Sequence, residues 1–211
     1  MTFWQKRIWR SKIPRMNRKI LYIVLGGISA VFMGGCGIFS EPSYTVTRNY
    51  DLESPPVLNT PGYDVMILPF ASETAGRYKM VTRSGVELYQ DEYNRWTQPP
   101  ALLLTRYLRM ALSDNGNTHQ KVLPVYEISG TVLTFEADLK TYTAILCVRY
   151  SIMERRTGKI VRNGVLRYNI PMNKKDTLPI AFAHAMSDAA KKFVNKLYAV
   201  MNGLQTGSGK K

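Results

Sequence analysis

Two histidines, His119 and His184, are the only imidazoles in the 211-residue chain. Neither has a cysteine or an acidic residue at metal-ligand spacing, so surface or packing roles outweigh ligation. No Gly-x-Ser-x-Gly turn is present to expose a nucleophilic serine, and two histidines assemble no convincing Ser/His/Asp arrangement. Asp91 and Glu92 are adjacent, a spacing that on a strand sends the carboxyls apart rather than into one acid–base pair. The C-terminal Gly207-Ser208-Gly209-Lys210-Lys211 lacks the earlier glycine, the hydroxyl after lysine and the following helix that a phosphate loop needs. Cys147 lies in the apolar string Ala144-Ile145-Leu146-Cys147-Val148, which favours a buried inert thiol over a nucleophile. These residues point away from catalysis, and to no cofactor or metal.

Cys36 stands in a different setting. Lys6, Arg7, Arg10, Lys12, Arg15, Arg18 and Lys19 precede the apolar run Ile20 to Phe32 with no acidic residue among them. That order predicts a secretory signal peptide over residues 1–35. The run is shorter than the roughly 20 apolar residues of a membrane span. Gly34-Gly35 before Cys36 lets the chain lie extended in a peptidase cleft, and the thiol is the group that can accept a diacylglycerol. The site resembles the lipobox of bacterial lipoproteins, with Met33 where leucine is usual. Cys36 is therefore expected to carry the lipid and to be the chain's membrane anchor. An ordinary signal peptide with an incidental cysteine and an uncut signal anchor are the alternatives, and Met16 is an alternative start. Gly37 rather than aspartate after the cysteine points, by the enterobacterial sorting rule, to the periplasmic side of the outer membrane, with the inner membrane left open.

About half of the net charge of +14 lies ahead of the apolar run, so much of the basicity belongs to the targeting signal. The remainder suits an anionic lipid surface or an acidic partner, or merely aids solubility. No basic run is dense enough to favour nucleic acid. With Cys36 lipidated, Cys147 has no partner for an intramolecular disulfide, and stability must come from packing.

Residues 36–62 carry Pro42, Pro55, Pro56 and Pro61 with few aliphatic side chains, the composition of a flexible tether. Order is expected from 63 to 202, a length suited to one domain. Val65 to Leu68 reads as a short buried strand closed by Pro69. Lys79 to Thr82 and Val86 to Tyr89 flank Ser84-Gly85 as a hairpin. Thr97 is placed to cap a helix led by Pro99-Pro100, in which Ala101, Leu104, Leu108, Ala111 and Leu112 recur at helical spacing, with Asn115-Gly116 ending it. Strands follow at Tyr126 to Phe135 and Tyr142 to Glu154, and a Thr157-Gly158 turn leads into Ile160 to Ile170. Leu178, Phe182, Met186, Ala189, Phe193, Leu197 and Met201 form one stripe of a closing helix, and residues 203–211 read as a flexible tail. These elements predict an α+β domain, a largely antiparallel sheet with two amphipathic helices packed on it.

The segment Met80-Val81-Thr82-Arg83 through Tyr89, then Tyr93-Asn94-Arg95-Trp96 and the Pro-led helix, resembles the ABC-type transport auxiliary lipoprotein family, the paraquat-inducible protein C-like lipoproteins. The resemblance runs from about Tyr63 to Met201. It implies a non-catalytic lipoprotein without cofactors, working beside an MCE-domain protein and an ABC permease and ATPase that move phospholipids or other hydrophobic molecules across the envelope. It also implies a fold like the TolB N-terminal domain. A TolB-like or peptidoglycan-synthase-activating lipoprotein is the alternative function, and homo-oligomerisation is left open. Tyr89, Tyr93, Arg95 and Trp96 are the expected partner-binding residues, because exposed aromatic and arginine side chains most often anchor interfaces. Trp96 reads equally well as a core plug at the mouth of the helix.

Overall fold

A computed structural model describes residues 45–58, 65–112 and 125–208. Cys36, the expected signal peptide, His119 and Asn115-Gly116 lie outside the described residues. The strands are β1 (Arg48–Tyr50), β2 (Val65–Ile67), β3 (Ala71–Ser72), β4 (Lys79–Ser84), β5 (Glu87–Trp96), β6 (Tyr126–Asp138), β7 (Thr143–Glu154) and β8 (Lys159–Pro171). The helices are α1 (Pro100–Leu112) and α2 (Leu178–Ser208).

The strands form one mixed sheet in the order β1-β5-β4-β6-β7-β8, with β2 and β3 laid in turn along β6. The long pairings β6–β7 and β7–β8 and the β4–β5 hairpin are antiparallel, whereas β1 on β5 and β2, β3 and β4 on β6 are short parallel ladders. Gly85 and Gly158 take φ +68° at the two tight turns, a conformation open to glycine at no steric cost. Tyr142, expected as the first residue of β7, instead takes φ 53° in the turn before it.

Alternation along β7 sets the layers. Ala144, Leu146, Val148, Tyr150 and Ile152 are buried on one face, where they join the helices' apolar stripes in a single core. All but one residue of the predicted α2 stripe, Phe182 to Met201, is fully buried there, and Leu178 packs at its margin. Phe70 and Tyr150 each meet Phe193 edge to face, as Phe135 and Phe182 each meet Trp96. Gly130 on β6 is needed for this packing: a Cβ there would stand 2.6 Å from the Phe70 ring and 2.7 Å from the Arg149 carbonyl.

Three expectations are corrected. Thr97 does not cap α1; the Pro99 carbonyl accepts from the Leu103 amide at 3.0 Å, and Pro100 fills the first turn, where its missing N–H costs nothing. Residues 48–58 of the expected tether are instead part of the domain. β1 pairs with the end of β5, Leu52 enters the core, the Glu53 amide donates to Ser187 Oγ at 3.0 Å, and the Leu58 amide donates to the Ala111 carbonyl at 2.8 Å. That last bond satisfies one of the carbonyls a helix end leaves open. The expected tail is corrected from 203 to 208, because α2 continues through Gly203 with Leu204 against the core.

Candidate docking face

Thr82↔Tyr89 to Ser84↔Glu87 is a regular hairpin ladder, but Lys79 pairs with Arg95 while Val81 pairs with Gln90. The extra residues of β5 therefore leave the ladder as a bulge. Asp91 holds it: its Oδ1 accepts from the amides of Tyr93 and Asn94, both at 2.9 Å, and its Oδ2 from Asn94 Nδ2 at 2.8 Å. Burial pushes the Asp91 carboxyl up, but the Asn94 side chain and the two amides together hold it below its ordinary value. The adjacent Glu92 points elsewhere and pairs with Lys79 Nζ at 2.5 Å, so Asp91 and Glu92 do not cooperate.

Of the expected docking residues, Tyr89 and Tyr93 are each 51% exposed. Tyr89 Oη donates to Glu87, and this bond to a carboxylate raises the phenol's pKa above its ordinary value. Arg95 is half-buried; its Nη2 donates weakly to the Glu92 carbonyl at 3.4 Å, while its buried Nε has no acceptor. Trp96 is 1% exposed and belongs to the core, which removes it from the docking face. Its Nε1–H is also buried without an acceptor. The hairpin's far end is closed by the Trp96 amide donating to the Tyr78 carbonyl at 2.6 Å and the Thr97 amide to that of Tyr50 at 2.8 Å. The geometry thus presents Tyr89, Tyr93 and Arg95 on a strand that Trp96 nails to the core.

Behind the hairpin, Arg83 and Glu136 form a two-bond ion pair, Nε–Oε1 2.5 Å and Nη2–Oε2 3.2 Å, joining β4 to β6. The bond to Glu136 raises the Arg83 pKa further. Sequence reasoning missed this pair, since its members are 53 positions apart. It also missed the contact of His184 Nδ1 with Glu53 Oε1 at 2.5 Å, which ties α2 to the segment after β1. Cys147 is buried and free, as the apolar string around it indicates. Among the described residues no cluster of three metal-ligating side chains occurs, and no helix is long and apolar enough to cross a membrane.

The described domain is thus two packed layers with Tyr89 and Tyr93 exposed on the β4–β5 hairpin. The sequence profile of the ABC-type transport auxiliary lipoprotein component matches residues 67–197, and the chain belongs to that family. Its members are auxiliary lipoproteins. The fold is similar to that of protein XCC0632 from Xanthomonas campestris, a DUF330 structure, with a TM-score of 0.62 at 17% identity over 77% of this chain and 99% of that one. A second solved structure, of an uncharacterized protein, gives a TM-score of 0.48 at 13% identity over 72% of this chain and 99% of the other. No curated protein matches.

Proposed function

We propose that this chain is a non-catalytic, membrane-anchored component of an MCE/ABC-type envelope lipid transport system. The observation that carries the reading is membership of the transport auxiliary family across most of the ordered domain. Tyr89, Tyr93 and Arg95 supply the contact, with two aromatic rings and a guanidinium on one bulged strand. An MCE-domain protein and the ABC permease and ATPase are the partners, and the lipid on Cys36 holds the chain at the periplasmic face of the outer membrane.

Pulldown of the full-length protein from its own membranes tests this. The permease, ATPase and MCE-domain protein should be recovered together. Recovery of a peptidoglycan synthase or a Tol component instead would move the chain to another envelope machine. Tyr93→Ala and Arg95→Glu should weaken partner binding by at least about 2 kcal/mol while the melting temperature stays near that of the parent. Unchanged binding in both variants would remove the hairpin from the interface.

A further inference from the structure

The bulge in β5 has a second consequence. Where the ladder jumps from Lys79↔Arg95 to Val81↔Gln90, a cavity of about 280 Å³ opens, lined by Ala75, Arg77, Tyr78, Lys79, Gln90 and Arg95. Its wall is pinned by Gln90 Nε2 donating to the Ala75 carbonyl at 3.3 Å. Three of the six lining residues are cations. Lys79 is paired with Glu92, but among the described residues neither Arg77 nor Arg95 has a carboxylate partner. Asp91, the other acid nearby, is committed to the bulge's own amides.

We propose that this cavity is a binding site for a phosphate-class oxyanion. Two guanidiniums and an ammonium around one concavity offer more donors than a planar carboxylate can accept, whereas a phosphomonoester brings three acceptor oxygens and a charge of about −1.5 to −2. At about 280 Å³ the cavity lies at the lower end of the roughly 300–1,000 Å³ range of small-molecule sites, room enough for a headgroup-sized anion. Glu92 acts as an internal competitor, holding Lys79 until the anion arrives. Arg95 is shared with the proposed docking residues, whereas Arg77 and Glu92 are not among them, so variants at those two positions test the cavity apart from docking.

Titration calorimetry on the full-length protein in neutral detergent tests it, at constant ionic strength, with inorganic phosphate and with dihexanoyl phosphatidic acid below its micellar concentration. Saturable binding is expected. Arg77→Gln, at an exposed position, should weaken it by about tenfold or more, the usual scale for losing a hydrogen bond to a charged group. Glu92→Gln should tighten it severalfold by freeing Lys79, a gain that unfolding cannot imitate. Tighter binding of the lipid phosphate than of inorganic phosphate supports the site and identifies the source as a headgroup. Binding of inorganic phosphate alone supports it with a free anion as the source. An equal response to acetate, no saturable binding, or two variants that titrate like the parent would overturn it. So would binding of a polyglutamate peptide in place of phosphate, which would assign the cavity to an acidic protein segment.

Discussion

Truncating Trp96 to alanine empties a site bounded by Phe135 at 5.1 Å and Phe182 at 5.3 Å between ring centroids, and is expected to cost about 3–5 kcal/mol. Trp96→Phe should cost much less, since it keeps a ring in the cluster and deletes a buried N–H that has no acceptor. Urea melts of the two variants check this, and equal losses would mean that the indole nitrogen has a partner. Asp91 works in the opposite sense, through bonds that are made. Its folded pKa is depressed, so its stabilisation of the bulge is fully present above the unfolded value and is lost as pH falls through the folded one, on the acid side of 3.8. Amide shifts of Tyr93 and Asn94, followed by NMR down in pH, should therefore move with a midpoint below 3.8. A midpoint at or above that value would show that the carboxylate does not hold the turn.

At the scale of elements, periodicity made the long pieces readable. The α2 stripe and the alternation of β7 each repeat over many residues, so a local pattern sufficed to find their buried faces. The segment before β2 carries no such pattern. Tyr50, Leu52 and Leu58 are isolated apolar residues among prolines and polar groups, and the segment's hydrogen-bond partners, Asn94 for Tyr50, Ser187 for the Glu53 amide and Ala111 for the Leu58 amide, are distant in sequence. Composition therefore read a tether where the chain straps both helices. The β4–β5 hairpin was legible from its Ser84-Gly85 turn, but the bulge in β5 depends on a register that Asp91 alone does not reveal. The strap makes a prediction that a tether does not. Leu52→Ala should destabilise the domain by about 2–3 kcal/mol, because Leu52 is only 9% exposed. Val46→Ala and Val57→Ala, at positions 63% and 56% exposed, should stay within about 0.5 kcal/mol of the parent. Chemical denaturation of the three variants separates strap from tether, and a neutral Leu52→Ala would restore the tether.

For the molecule as a whole, the strap shortens whatever joins the proposed anchor to the domain. Thr45 is the first described residue, and the nine residue steps back to Cys36 span at most roughly 30 Å even when fully extended. A lipid on Cys36 would thus hold Thr45 within about that distance of the bilayer. Two signals are usually needed for stable membrane attachment by acyl chains, and a diacylglycerol supplies two chains at one residue. Cys36→Ala should therefore abolish incorporation of a labelled fatty acid and shift the protein out of the acylated membrane fraction, while the melting temperature of the domain stays unchanged. A label retained in Cys36→Ala would place the lipid elsewhere. Restoring attachment through an unrelated anchor fused directly before Gly37 should recover partner pulldown if the lipid serves only to hold the domain within reach. Failure of that rescue, with the fusion correctly on the membrane, would give the Cys36 lipid a role beyond tethering.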